Sequence, residues 1–287
     1  NNMYRLKINR FVTEYISDVG GLKNITHAPN RASTPAYVQG IYVLEKDIDL
    51  TNETGWNPQE YGRTYFMGTL DGQGYAIKGL NLDKKDNKDS GLFDAFSGKN
   101  VTIKNLALLD VTLDKNFQTA PLAGQVLASA NVTIENVFVT VNAITFVYYQ
   151  SGLITQAEYN TATITCKDVF IQVEEINIAP AKGCYAGVPR NGFMVGRLAM
   201  VTTLNVSNAF FVAPTVTALE DQTYNKLSVT KDQVISLKIV GLATDSKYLG
   251  TAEAIEALAT EGTHYYQSSS LNFDETTTAK MTDLIKK

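Results

Sequence analysis

Five segments of the chain superimpose on one another, and that repetition constrains the fold more than any other feature. They are Ala76-Ile77-Lys78-Gly79-Leu80-Asn81-Leu82, Thr102 to Leu108, Thr133 to Val139, Thr165 to Ile171 and Asn205 to Phe211. Each reads apolar, spacer, then Asn, Asp or Gly, then apolar–any–apolar. The polar or glycine positions are 79, 105, 136, 168 and 208, spaced by 26, 31, 32 and 40 residues. Such periods belong to stacked repeats.

The pattern has a definite physical meaning. Val132, Ile134, Val137 and Val139 alternate as inward residues with outward Thr133, Glu135 and Phe138, which is strand periodicity. The alternation slips phase at Asn136, where two strands meet at a sharp bend. Asn, Asp and Gly tolerate the left-handed backbone that such a bend requires. One coil of this kind cannot bury its own apolar face, whereas a stack of equivalent coils can. The expected structural corners are Asp47, Gly79, Asn105, Asn136, Asp168 and Asn208. The fold class that follows is all-β, a parallel β-helix (β-solenoid) with N- and C-terminal caps that are partly helical.

The chain divides into an N-terminal cap over 1–35, a parallel β-helix over 36–215 and a C-terminal cap region over 216–287. In the first, the run Val12 to Val19 before Gly20-Gly21 predicts a short helix or irregular cap ending at glycine. A second recurring element, in Ser90-Gly91-Leu92-Phe93, Pro121 to Gly124, Ser151 to Ile154 and Gly192 to Gly196, predicts a further strand per coil, with small residues where rungs pack closely. One last rung is expected in Val234 to Ile239. Helical spacing recurs in Thr251 to Thr260 and Thr276 to Lys286.

Composition narrows the function classes. The 287 residues carry a net charge of −4 with no basic run, so nothing recruits nucleic acid or an anionic membrane. No apolar stretch approaches the ~20 residues that span a bilayer. The only histidines, His27 and His264, lie near opposite ends of the chain, which leaves no basis for a histidine metal site or a catalytic triad. No metal and no cofactor is expected. Cys166 takes the place of Ile103 and Ile134 and reads as a buried thiol; a bond to Cys184 stays open. The chain begins Asn-Asn, so a cleaved leader also stays open.

The run Tyr42 to Leu50, then Trp56 and Pro58, then Phe66 to Leu80 with Gly68-Thr69-Leu70-Asp71-Gly72-Gln73-Gly74, and then Ser90-Gly91-Leu92-Phe93, resembles the start of bacterial surface proteins built from GLUG-type repeats. Their fold is a right-handed parallel β-helix like that of the pectate lyase superfamily. The resemblance covers residues 37–139 well and 150–213 loosely, with the Gly-Leu-Val-Gly core degraded to Leu122-Ala123-Gly124 or Met194-Val195-Gly196. It implies right-handedness, an extracellular or cell-surface location and the absence of an assigned catalytic site.

The expected function is a non-enzymatic extracellular scaffold for adhesion, for glycan or protein binding, or for surface assembly, with a surface glycan or protein as partner. A homo-oligomer is compatible with it. The alternatives are a polysaccharide lyase or glycoside hydrolase, with Asp71 as its first candidate, and a virion structural, fibre or decoration protein. Asp71 reads foremost as a turn aspartate, because glycosidases need two carboxyls about 5 to 9.5 Å apart on one face. The candidate ligand-binding residues are aromatic and fall in or beside loops: Trp56, Tyr61, Tyr65, Tyr148, Tyr149, Tyr265 and Tyr266. Exposed rings there stack on sugars or anchor a partner, or else cover the flanks of the solenoid.

Overall fold

The computed structural model describes residues 12–29, 34–83, 89–113, 118–145, 150–157, 161–177, 194–198, 202–213, 237–241, 248–249 and 266–267. Over these the chain winds as a parallel β-solenoid of about five turns. One face is a sheet of ten strands: β1 (Glu14–Ile16), β3 (Ile41–Leu44), β4 (Ile48–Asp49), β6 (Thr69–Asp71), β7 (Ala76–Lys78), β9 (Val101–Val111), β11 (Asn131–Thr145), β13 (Thr163–Asn177), β15 (Thr203–Ala213) and β16 (Leu237–Gly241). The other is a sheet of six: β2 (Ala36–Val38), β5 (Thr64–Phe66), β8 (Phe93–Phe96), β10 (Ala123–Val126), β12 (Ile154–Ala157) and β14 (Val195–Leu198). β17 (Tyr248–Leu249) and β18 (Tyr266–Gln267) pair apart from both, and every pairing among these strands is parallel.

Register confirms the columns. Ile103, Ile134, Cys166 and Val206 stand in line, as do Leu106, Val137, Val169 and Ala209. Ile103, Ile134 and Cys166 have no exposed surface. The core lies between the two sheets, where these columns face Phe66, Phe96 and Val126 of the six-stranded sheet. Burial pushes the Cys166 thiol up to about 12, so it packs as a small hydrophobe. Cys184 lies outside the described residues.

The corners at Asn105, Asn136 and Asp168 all have φ of 53°, the left-handed region that their side chains tolerate. The Asn136 amide Nδ2 donates to Asn105 Oδ1 at 2.9 Å, and Asn105 Nδ2 donates to Asp71 Oδ1 at 3.0 Å. Asn208 continues the row by register.

Two expected corners are not where the repeat placed them. Ala76, Ile77 and Lys78 pair with Ala107, Leu108 and Leu109, so Gly79 stands beside Asp110 rather than Asn105. It marks a second bend, at φ 72°, and a Cβ there would lie 2.7 Å from Thr51 Oγ1. The first bend of that coil is the longer turn Gly72–Tyr75. Asp47 lies opposite Ala76, one step past the corner: its carboxylate accepts the Ala76 N–H at 2.9 Å and pairs with Lys78 at 2.8 Å. In the next coil the second bend persists at Asp110, φ 56°, within a bulge of β9 against β11, where the Asp110 N–H donates to Thr140 Oγ1 at 2.7 Å; between β11 and β13 the register runs without a shift.

The N-terminal segment also differs from its expectation. Glu14–Ile16 forms the first strand, and the helix α1 (Val19–Thr26) follows it. The glycines open this helix instead of ending it: Asp18 is its N-cap, accepting the Gly21 N–H at 2.8 Å. Leu22 and Ile25 plug the open end of the core. The second recurring element yields β8, β10, β12 and β14, each beginning just after or within the predicted stretch. Its small residues do mark close packing, since a Cβ on Gly91 would sit 2.5 Å from the Ala123 nitrogen. A late rung is present as β16. The segments 251–260 and 276–286 lie outside the described residues.

Candidate functional site: a tyrosine face on the six-stranded sheet

In the six-stranded sheet one register row reads Tyr37, Tyr65, Ala95, Gln125, Gln156 and Arg197. Strand alternation turns this row away from the core, because the next position along each strand is Val38, Phe66, Phe96 or Val126, all members of it. The row runs across the coils and therefore along the solenoid axis.

Its first half forms a built surface. Tyr37 is 59% exposed, and its ring meets the half-buried Tyr65 edge to face, with centroids 5.5 Å apart. The Arg63 guanidinium lies 5.6 Å from the centre of the Tyr65 ring, within cation–π range. Arg63 Nε donates to Asp94 Oδ2 at 2.9 Å, and its Nη2 donates to Gln125 Oε1 at 2.7 Å. That bond passes over the coil holding Ala95, whose single methyl leaves room for it.

Asp94 is the anchor. Its side chain is fully buried and also accepts the Thr64 N–H at 2.8 Å and Gln59 Nε2 at 3.0 Å. Burial pushes its carboxyl up, against the opposing pull of Arg63 and the other donors. Gln125 Nε2 in turn donates to Asp89 Oδ2 at 3.3 Å. The network fixes the Gln59–Arg63 connection on the sheet and holds Arg63 over Tyr65.

The candidates read from the sequence are dispersed. Tyr65 belongs to this face. Tyr61 is 59% exposed in the turn just before Arg63. Trp56 is a correction: it is 3% exposed, not a surface ring, because its indole N–H donates to the Leu92 carbonyl at 3.0 Å. It packs edge to face with His27, with centroids 4.4 Å apart, under the N-terminal helix. Tyr148, Tyr149 and Tyr265 lie outside the described residues, and Tyr266 is described only as backbone of β18. Phe138, an outward position, is nonetheless covered, and its ring lies 5.4 Å from that of Phe170.

Asp71 is engaged in the corner. One of its oxygens accepts the Asn105 amide and the Gln73 N–H, each at 3.0 Å, and the other faces Lys104 at 3.5 Å. A shallow groove of about 420 Å³ opens at the second bend, lined by Asp49, Thr51, Lys78, Asn81, Asp110 and Thr112. The Thr51 hydroxyl and N–H hold the Asp49 carboxyl below its ordinary range, so it serves no proton-donor role at neutral pH. Among the described residues no three His, Cys, Asp or Glu side chains gather as a metal site, and no helix is long and apolar enough to cross a membrane.

Tyr37, Arg63, Asp94 and Gln125 were missed by sequence reasoning. A signal existed for Tyr37: Ala36-Tyr37-Val38 and Thr64-Tyr65-Phe66 share a central tyrosine between two inward residues. Nothing local marks Arg63 or Asp94, which meet across 31 residues.

Comparison with known proteins gives one stretch of likeness. The chain is 37% identical over 101 residues to halomucin of Haloquadratum walsbyi, a match covering 32% of this chain and 1% of that protein. No family model matches the chain, and no solved structure matches it.

Proposed function

We propose that the chain is a non-enzymatic extracellular scaffold whose rigid β-solenoid presents the tyrosine face to a partner at a surface. The observation that carries this reading is the row Tyr37–Tyr65 with Arg63, held in place by the buried Asp94 instead of by mobile loops. Binding constellations are most effective when a packed framework fixes them. The likeness to a stretch of halomucin, a protein named as a mucin, supports a surface role, as does the resemblance of residues 37–139 to GLUG-type surface proteins. Asp71 supports the non-enzymatic side, because its oxygens serve the corner ladder.

The test is a binding assay of the purified chain against cell-envelope fractions and isolated surface polysaccharides, alongside a turnover screen on uronic and neutral glycans. Expected is retention that Tyr37→Ala together with Tyr65→Ala abolishes, with unchanged thermal unfolding and no turnover. Cleavage products that vanish with Asp71→Asn would make it an enzyme instead.

A further inference from the structure

We infer that the tyrosine face takes an uncharged polysaccharide lying along the solenoid axis, with a sugar ring against Tyr37 and Tyr65 and hydroxyls on Arg63 and Gln125. This rests on the scaffold reading above and names its ligand. Three features of the face select that chemistry.

The apolar area is small. Stable protein interfaces bury about 800 Å² per partner around an apolar core. Here two rings 5.5 Å apart are followed by an alanine and an amide, Ala95 and Gln125. A sugar ring needs one or two aromatic faces for its C–H side and polar groups for its rim, which is what the row supplies.

The polar groups are planar and fixed. The guanidinium of Arg63 offers donors, and the Gln125 amide offers both a donor and an acceptor, within two coils of Tyr65. Coils repeat at about 4.8 Å, so these groups meet successive positions of a ligand that runs across the strands.

The half of the row that carries the tyrosines also lacks positive charge to spare, since Arg197 stands at the far end, two coils beyond Gln125. Arg63 is neutralised by Asp94, Asp89 lies beside Gln125, and the whole chain carries −4. Sulfated or uronic chains and nucleic acids therefore find no electrostatic attraction at Tyr37 and Tyr65.

The experiment titrates the full chain with soluble β-glucan, mannan, galactan and xylan, and with polygalacturonate and heparin, by calorimetry at low and high salt. At least one neutral polysaccharide should bind with an affinity that salt leaves within about twofold. Tyr37→Ala, Tyr65→Ala and Gln125→Ala should each weaken it about tenfold, while Tyr15→Ala, an exposed ring elsewhere, changes nothing. Unchanged thermal melts certify that the variants fold. Binding confined to the two polyanions, or neutral binding indifferent to all three face variants, overturns the assignment. If no glycan binds and an envelope protein is retained through Tyr37 and Tyr65, the glycan assignment fails and the scaffold reading stands. Retention of nothing by this face overturns both.

Discussion

Asn136 performs two tasks, and they can be separated by substitution. Its backbone sits at φ 53°, and its amide bonds to Asn105 in the coil before. Asn136→Gly keeps the backbone conformation and loses the amide bond, so it should cost about 1 kcal/mol. Asn136→Ala loses the bond and strains the backbone as well, adding about 1–2 kcal/mol. Urea unfolding of the two variants checks the order, and an alanine no worse than the glycine would disprove the backbone role. Ile134 tests the core instead. It is wholly buried between Ile103 and Cys166, where an aspartate meets no partner charge. Ile134→Asp should lose at least about 4 kcal/mol or fail to fold. An unaltered melting curve would contradict the inward column.

Among the described residues, the N-terminal cap is the element whose stability depends on pH near neutrality. His27 closes helix α1, accepts or donates a 2.8 Å hydrogen bond with Thr26 Oγ1, and packs against Trp56. Burial lowers its pKa from 6.5 to about 4, with Lys23 adding to the shift and Glu53 opposing it. The imidazole is neutral in the fold, while the unfolded chain takes up a proton below pH 6.5. Stability from this group is therefore full above 6.5 and drains away as pH falls toward 4; by pH 5 the loss is about 2 kcal/mol. Denaturation at pH 7.5 and pH 5 should show that drop in the parent and a much smaller one in His27→Gln. A parent indifferent to this interval would contradict the buried neutral imidazole. The cap also shows where sequence reasoning ran out. The columns through Ile103, Ile134 and Cys166 were readable because each strand carries its own alternation. Gly79 was not, because either bend of a coil accepts Asn, Asp or Gly, and only the pairing of Ala76 with Ala107 tells the bends apart. The burial of Trp56 depends on Leu92, 36 residues away, and no local pattern encodes that.

For the whole molecule, the connectivity of the stack sets how stability is distributed. Each coil touches the coil before and the coil after: Val101, Val132 and Ile164 meet in sequence, 31 and then 32 residues apart. Interactions of this nearest-neighbour kind make the ends easier to open than the middle. β11 is bonded along both edges, whereas β2 ends the six-stranded sheet and, among the described residues, has a single neighbour. Backbone amides of Thr133–Val139 should therefore exchange with solvent at least about a hundredfold more slowly than those of Ala36–Val38. The tyrosine face begins on that end strand with Tyr37, yet Arg63 and Asp94 tie it to β5, β8 and β10. Asp94→Asn weakens the tie without removing bulk, so exchange in Ala36–Phe66 should quicken by about tenfold or more while β11 stays protected. Equal acceleration in both segments would mean that the solenoid opens as one unit and that the Asp94 network does not set the local stability of the face.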